Sequence, residues 1–189
     1  MKQNKKIAIT GEIGSGKSLV RKILEEQGEM CFDCDEINRE LLKDNEYISG
    51  ISQIFPDAVI NDKLNKNILK NIIYNSEKER TKLNLYAHPR IKIKLMEKLK
   101  DVNDSRVFVE VPLLNQTDFV NIFDEIWVIY SDEMLKLKRL LDRDRVSKDV
   151  IIAQMKTQNS NYNFNIKTIF IENNCSIEEL KHKIYNLLK

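Results

Sequence analysis

The sequence predicts an α/β fold in which helices flank a parallel sheet on both faces. Short apolar runs alternate with helical patterns along the chain, and a glycine-rich loop joins the first run to the first helix. The 189 residues are little more than one domain of about 150, so we expect a single core with an insertion. With 42% apolar and 32% charged residues, the composition is that of a globular chain rather than a disordered one.

Charge, hydropathy and cysteine content exclude several classes of protein. The 31 basic and 29 acidic side chains leave a net charge of +2, which argues against general nucleic-acid binding. No apolar run approaches the roughly 18 residues of a membrane span, and the apolar stretch near the start is too short for a signal peptide. Three cysteines make a poor disulfide framework, so we expect a cytoplasmic protein. Cys31 and Cys34 form a C-x-x-C motif, but on a strand their sulfur atoms would diverge, which disfavours redox or zinc chemistry.

The first part of the chain shows the alternation of strand and helix. We predict a buried strand at 6–10, followed by a helix that ends at Gly28, a natural C-cap. A second strand follows at 30–34, and a second helix carries Ile37 and Leu41 on one face.

The stretch 61–104 has helical spacing throughout. The apolar side chains that carry this spacing at its start are Leu64, Ile68, Leu69 and Ile72. A capping box opens at Ser76, and a further amphipathic helix follows it. We therefore predict a helical insertion at 61–104, without strands, between the core segments 1–60 and 105–189.

The strand–helix alternation resumes after the insertion. We predict strands at 106–111, 126–130 and 168–171, with a helix after the second of them. A final helix opens with a capping box at Ser176.

The strongest functional signal is the octapeptide Gly11-Glu12-Ile13-Gly14-Ser15-Gly16-Lys17-Ser18, which matches G-x-x-x-x-G-K-[ST] between a strand and a helix. Glycines let backbone N–H groups converge on nucleotide phosphates, and the helix that follows adds its positive end. We expect Lys17 to bridge the β- and γ-phosphates of the nucleotide, Ser18 to bind Mg²⁺, and Leu19 to contribute only its N–H group. The alternative is an incidental turn, but three of the five glycines of the chain lie in this octapeptide.

Elimination among the P-loop classes leaves a small-molecule kinase. A small GTPase needs N/T-K-x-D, whereas Asn65-Lys66 is followed by Asn67-Ile68. A mechanical ATPase needs an apolar strand that ends in Asp-Glu, whereas Asp124-Glu125 precedes the apolar run 126–129.

Three carboxylates are expected at the carboxyl ends of strands, where ligands of open parallel sheets bind. We assign Asp35 to activation of an acceptor hydroxyl and Asp33 to support of the metal, on the expectation that both continue one face of the second strand. Asp35 could instead cap the next helix. Glu110 ends the third core strand, in the usual place of a carboxylate that reaches Mg²⁺ through other groups. The alternative is that Glu110 is only a charge at the end of a strand, with no role toward the metal.

Two arginines lie one turn apart on the helix after the fourth core strand. Arg139 and Arg143 could both reach over a bound triphosphate, where they would stabilise negative charge and exclude water. We place them in a lid at about 139–160. Each could instead be a solvated charge that pairs with Asp142 or Asp144.

With these elements in place, the chain resembles the dephospho-CoA kinase family. The resemblance rests on the P-loop with Thr10, on Asp33-Cys34-Asp35, and on Tyr86-Ala87-His88-Pro89. It continues through Val111-Pro112-Leu113-Leu114, Arg139, Arg143, Gln158 and Ile171-Glu172-Asn173-Asn174, in the family's order over nearly the whole chain.

The resemblance implies a P-loop core, a helical insertion for CoA and a lid. It also implies ATP-dependent phosphorylation of the ribose 3′-hydroxyl of dephospho-CoA. Asp35 matches the catalytic base of the family, and His88 and Pro89 match the start of the helical element on the CoA side. Leu113 falls among the acceptor contacts, and Asn173 falls on the adenine side of the ATP site.

The chain departs from the family pattern at a few positions. Asn115 and Gln116 replace an aromatic or aliphatic residue and a glutamate, Gln154 replaces a basic residue, and Cys175 replaces a glycine. The stretch 159–165 has no lysine or arginine. These departures leave open a kinase for another small hydroxyl acceptor, or a nucleotide-binding module without catalysis.

The sequence allows two interpretations of the surface of the insertion. The basic run Arg90-Ile91-Lys92-Ile93-Lys94 is either a solvated helix face or a surface that attracts the pyrophosphate of CoA. We expect ATP and dephospho-CoA as ligands, no nucleic acid or membrane, and a monomer or small homo-oligomer.

Overall fold

A computed structural model describes residues 4–61, 63–144, 147–156, 158 and 161–189. In chain order its elements are β1 (Lys5–Gly11), α1 (Lys17–Glu26), β2 (Met30–Asp33), α2 (Cys34–Leu41), α3 (Asn45–Ile54), β3 (Val59–Ile60), β4 (Lys63–Leu64), α4 (Lys66–Asn75), α5 (Glu77–Lys100), β5 (Arg106–Glu110), β6 (Glu125–Tyr130), α6 (Glu133–Asp144), α7 (Lys148–Lys156), β7 (Lys167–Glu172) and α8 (Ile177–Leu188), with 3₁₀ turns at Pro56–Ala58, Leu114–Gln116 and Val120–Ile122. The backbone divides into two compact units, Met1–Asp33 with Val102–Lys189 and, separately, Cys34–Asp101.

The first unit is built on a five-stranded sheet in the order β2–β5–β1–β6–β7, in which all neighbours are parallel. β1 lies at the centre, with Ile9 opposite both Glu110 and Trp127. The predicted α/β fold with a parallel sheet is confirmed.

Both faces of this sheet are buried. On one face, α1 and α8 pack on strand residues that include Ile9, Phe108 and Trp127, and the rings of Phe108 and Trp127 meet edge to face at 5.1 Å. The alternate side chains of the same strands, such as Ala8 and Val109, are also fully buried. Burial on both sides explains why these strands are continuous apolar runs rather than alternating ones.

Two predicted helix boundaries of the first unit are confirmed. Gly28 has φ +80°, and the bonds from its N–H to Glu25 and from the Glu29 N–H to Leu24 form a Schellman motif after α1. At the other end of the chain, Ser176 and Glu179 form the predicted capping box of α8.

The second unit contains α2, α3, α4 and α5 with a small hairpin of β3 and β4, and α5 contacts the other three helices. It begins at Cys34, whereas the pattern of the sequence placed only 61–104 in the insertion. α2 packs on α5, a contact that no local pattern in the sequence reveals. The prediction that the insertion lacks strands is wrong, because β4 pairs with β3 across a turn at Asn61, and two-residue strands are too short to show a period of two.

Pro89 lies inside α5, which runs for 24 residues without interruption. The prediction that His88-Pro89 starts a helical element is therefore wrong. Proline disfavours a helical conformation of its predecessor and has no N–H to donate to the Leu85 carbonyl. The buried side chains Ala87, Ile91 and Leu95 nevertheless recur every four residues through this point, so burial of one helix face outweighs the local cost.

Two further observations bear on the earlier predictions. In the described part of the chain, no helix is long and apolar enough to cross a membrane. Residues 145, 146, 157, 159 and 160 of the predicted lid lie outside the described residues.

Candidate active site

The loop between β1 and α1 has a backbone that glycine alone tolerates at two points. Gly11 has φ +143°, and a Cβ atom there would lie 2.1 Å from the Ile129 carbonyl oxygen. Gly16 has φ +99°, and its Cβ would lie 2.1 Å from Nδ2 of Asn173. Gly16 is also the N-cap of α1 and has no side chain to cap it, so the positive end of the helix faces the loop.

Asn173 and Arg139 hold this loop from the side of β7 and α6. The buried Asn173 amide donates to the Ser15 carbonyl at 2.7 Å. Arg139 donates to the backbone oxygen of Asn173 at 3.0 Å and, over longer distances of 3.4 and 3.5 Å, to the carbonyls of Gly14 and Ser15. Asn173 and Arg139, which the sequence analysis assigned to ATP, therefore contact the backbone of the P-loop. That they also contact ATP stays a prediction.

Lys17 folds back onto the loop. Its Nζ donates to the carbonyl oxygens of Gly11 and Glu12, at 2.9 Å in each case. An ammonium group in this position lies within the concave loop, where the oxygen atoms of a phosphate would be its natural partners.

The outer side of the loop is bound to α6 and to the segment that follows α7. The carboxylate of Glu12 forms an ion pair with Lys136, which is 6% exposed. The amide oxygen of Gln158 accepts the N–H of Ile13 at 2.7 Å. The role of Lys136 was not predicted, because its partner lies 124 residues away in the chain.

A network of oxygen atoms and one guanidinium lies beside the start of α1. Ser18 Oγ donates to Glu110 Oε1 at 2.8 Å, and Nε of Arg21 donates to Glu110 Oε2 at 3.0 Å. Nη2 of Arg21 lies 3.6 Å from Asp33 Oδ2. Asp33 and Glu110 are opposite each other in the paired strands β2 and β5, and both are buried. The predictions that Asp33 and Glu110 each end a strand are confirmed. That the two strands are neighbours, and that Arg21 lies between the two carboxylates, was not predicted.

This network suits a magnesium ion. The Ser18 proton points to Glu110, so the lone pairs of the hydroxyl are left for a cation. Hydroxyl and carboxylate oxygens are the ligands that Mg²⁺ prefers, and in nucleotide sites the phosphates supply most of the rest. Among the described residues no group of three or more His, Cys, Asp or Glu side chains could hold a metal by itself.

Arg21 has a pKa above its ordinary value. Burial by itself would lower the pKa, but the hydrogen bond to Glu110 and the charge of Glu25 raise it by more. The guanidinium is therefore a permanent positive charge between acidic side chains.

Asp35 does not continue β2. The strand ends at Asp33, and Cys34 already begins α2, so Asp35 lies in the first turn of that helix, exposed and in the second unit. The expectation that Asp33 and Asp35 share a strand face is therefore wrong, because the chain becomes helical between them. The C-x-x-C motif likewise spans a strand and a helix, and neither Cys31 nor Cys34 is in a disulfide.

The other predicted acceptor residues lie on separate elements. His88 and Pro89 are in the middle of α5, in the second unit. Leu113, in the first unit, has φ +53°, a left-handed conformation that is costly for leucine. The N–H of the following residue, Leu114, donates to the hydroxyl of buried Thr10 at 3.3 Å.

The remaining predicted cations are engaged in local contacts. Arg143 binds Asp144 at 2.5 and 2.7 Å, which matches the alternative considered for this residue. In the basic run of α5, Arg90 lies 3.6 Å above the ring centre of Tyr86, and Lys94 pairs with Glu97 at 3.0 Å.

The fold of the first unit, a parallel sheet with a P-loop after its central strand, is the fold of P-loop small-molecule kinases of known structure. The Thermus thermophilus protein TT1252 superimposes with a TM-score of 0.85 at 25% identity, over 99% of this chain and 97% of that one. Dephospho-CoA kinase from Campylobacter jejuni superimposes with a TM-score of 0.63 at 23% identity, over 97% of this chain and 94% of that one. A shikimate kinase from Acinetobacter baumannii, 18% identical, shares the fold with a TM-score of 0.54, over 99% of this chain and 94% of that one.

The sequence comparisons are more specific. The family model described as dephospho-CoA kinase matches residues 5–179, so the chain belongs to the dephospho-CoA kinase family. The dephospho-CoA kinase of Dehalococcoides mccartyi is 30% identical over 97% of this chain and 96% of its own length. That of Fusobacterium nucleatum is 31% identical over 94% of each chain.

Proposed function

We propose that this protein transfers the γ-phosphoryl group of ATP to the ribose 3′-hydroxyl of dephospho-CoA and releases CoA and ADP, the final step of coenzyme A biosynthesis. The observation that carries the proposal is the family match, which covers residues 5–179 and includes the P-loop. The glycine conformations and the position of Lys17 support phosphate binding at the loop.

On the ATP side, the proposal assigns phosphate binding to the main-chain N–H groups of residues 11–19 and to Lys17. Lys17 would exchange its two carbonyl partners for oxygen atoms of the β- and γ-phosphates. Ser18 would hold Mg²⁺ through its hydroxyl, while Glu110 and Asp33 would accept hydrogen bonds from groups around the ion. The ion would supply charge neutralisation on the phosphate oxygens.

On the acceptor side, the proposal assigns Asp35 to accept the proton of the 3′-hydroxyl as the phosphoryl group moves in line. Its exposed position in the first turn of α2 supports a role toward a ligand rather than in a core. His88, Pro89 and Leu113 would contact the acceptor, as the resemblance implies.

Arg139 and Arg143 are proposed to stabilise the charge that spreads over the transferred group. The contacts of Arg139 with the loop carbonyls support this role more directly than the ion pair of Arg143 does. Action in the cytoplasm, and as a monomer or small homo-oligomer, stays a prediction from the sequence.

The deciding experiment is ADP formation with purified protein, Mg²⁺ and ATP on addition of dephospho-CoA. We expect rapid ADP release with dephospho-CoA and none above background with an analogue that lacks the 3′-hydroxyl. Release with a nucleoside monophosphate or shikimate instead would identify a kinase of another specificity. ATP binding without turnover of any acceptor would identify a module without catalysis, the alternative raised by Asn115 and Gln116.

A further inference from the structure

Arg21 occupies a position that the proposed reaction does not explain. It lies on α1, one turn after Ser18, and its side chain is only 14% exposed. Its guanidinium reaches three carboxylates: Nη1 lies 2.6 Å from Glu25, Nη2 lies 3.6 Å from Asp33, and Nε donates to Glu110 at 3.0 Å. Glu25 is at the surface, whereas the other two carboxylates are buried.

The buried pair needs a cation between its members. Asp33 and Glu110 are register partners at the ends of adjacent parallel strands, so two negative charges lie side by side with little solvent. Buried like charges are strongly unfavourable unless an opposite charge compensates them. The planar fork of an arginine can contact both carboxylates at once, which a lysine ammonium does less well.

Glu110 is held from two sides. One of its oxygen atoms accepts a hydrogen bond from the Ser18 hydroxyl, and the other accepts a hydrogen bond from Nε–H of Arg21. The carboxylate therefore cannot rotate without the loss of one bond, and its orientation decides where the Ser18 hydroxyl directs its proton and its lone pairs.

We propose that Arg21 is a positioning residue for the divalent cation of the site: it orients Glu110, and Glu110 orients the Ser18 hydroxyl toward the position of the ion. In this role Arg21 acts through its contact with Glu110 rather than through a contact of its own with the nucleotide or the acceptor. The inference rests on the proposed function in one respect, namely that a nucleotide with Mg²⁺ binds at the P-loop.

The test measures how much Mg²⁺ tightens ADP binding, by titration calorimetry of the full-length protein with ADP in excess Mg²⁺ and in EDTA. The gain from Mg²⁺ is the ratio of the ADP affinity in excess Mg²⁺ to the ADP affinity in EDTA. In Arg21→Met, which keeps the length of the side chain and removes its charge and donors, we expect this gain to fall about tenfold. The affinity for ADP in EDTA should stay that of the wild type, because the loop amides and Lys17 do not depend on Arg21.

Three further variants separate positioning from general stability. Arg106→Met removes a matched arginine that pairs with Glu29 far from the loop, and should leave the gain unchanged. Arg21→Lys, which keeps the charge, should give a gain between those of the wild type and Arg21→Met, and it carries the test if the methionine variant does not fold. In a Glu110→Gln background, Arg21→Met should reduce the gain no further.

The outcomes distinguish the two proposals. No binding of ADP to the wild type, with or without Mg²⁺, would overturn the proposed function and this inference together. ADP binding with a Mg²⁺ gain that Arg21→Met leaves unchanged or increases would overturn the inference alone. The same would follow if Arg21→Met lowered binding equally in EDTA, or lowered the gain just as much in the Glu110→Gln background.

Discussion

At Gly16 the backbone of the P-loop packs directly against the side chain of Asn173. A Cβ atom there would enter the amide of Asn173, which is fully buried and already bonded to the Ser15 carbonyl. The residue is therefore constrained twice, by its left-handed backbone and by the closeness of Asn173.

We expect Gly16→Ala to lower the unfolding free energy by about 3 kcal/mol, as backbone strain and overpacking add, and to abolish ADP binding. Gly28→Ala is the matched control, because Gly28 also has a positive φ but nothing lies within 4 Å of its Cβ position. It should cost about 1 kcal/mol and leave ADP binding intact. Urea unfolding and calorimetry with ADP check both variants, and equal ADP affinity in the two would contradict the role given to Asn173.

Asp35 is the residue on which the acceptor side of the proposal depends. We expect Asp35→Asn to slow phosphoryl transfer by about 100-fold or more, because the amide cannot accept the hydroxyl proton, and to leave ADP affinity unchanged. Glu36→Gln is the control, since Glu36 is a neighbouring exposed carboxylate of the same helix turn. Steady-state ADP release measures both, and full activity in Asp35→Asn would exclude this residue as the base.

At the scale of elements, α3 and α5 pack closely because Gly50 leaves room for Tyr86. A Cβ at Gly50 would lie 2.0 Å from the Tyr86 hydroxyl and 2.4 Å from Cζ of its ring. The ring is not free to move, because Arg90 stacks on it and its hydroxyl donates to the Tyr47 carbonyl at 3.2 Å.

Gly50→Ala should therefore destabilise the protein by about 2 kcal/mol, although alanine is the better helix former. Ser49→Ala, one residue earlier and exposed, should change stability by less than about 0.5 kcal/mol. Thermal unfolding compares the two. A Gly50→Ala variant as stable as the wild type would mean that the two helices separate at no cost.

At the scale of the whole molecule, Glu125 joins three strands of the sheet. It is buried on β6, and its carboxylate lies 2.8 Å from Lys5 on β1 and 2.7 Å from Lys167 on β7. The indole of Trp127, the single tryptophan of the chain, also donates to it at 2.7 Å. Burial by itself would raise the pKa of Glu125, but the hydrogen bonds from Lys167, Lys5 and Trp127 lower it to about 2.

This lowered pKa predicts how stability depends on pH. Because the folded pKa lies below the ordinary value of 4.5, the contribution of Glu125 is complete above pH 4.5 and is lost as the pH falls toward 2. Glu125→Gln should cost on the order of 2 kcal/mol at pH 7, a modest value because the side chains of Lys5 and Lys167 are 46% and 65% exposed and solvent screens their charges. It should also flatten the stability profile between pH 4.5 and 2.

Urea unfolding followed by Trp127 fluorescence at a series of pH values measures this effect. Glu133→Gln, an exposed carboxylate at the start of α6, should leave the profile as it is in the wild type. An unchanged profile in Glu125→Gln would show that other carboxylates govern acid unfolding.

The sequence by itself determined the features that depend on near neighbours. The P-loop follows from glycine torsions within eight residues, the buried strands from runs of apolar side chains, and the ends of α1 and α8 from Gly28 and Ser176. Only the tertiary structure decided which distant groups meet: Arg21 with Glu110, Asn173 with Ser15, and α2 with α5 inside the helical unit that begins at Cys34. It also placed Pro89 inside a helix, although proline disfavours a helix interior, because the buried face of α5 continues past this residue. The physical reason is the same throughout: local torsions and periodicity can be read along the chain, whereas packing and charge pairing join residues that are distant in sequence, such as Arg21 and Glu110, 89 positions apart, or Ser15 and Asn173, 158 positions apart.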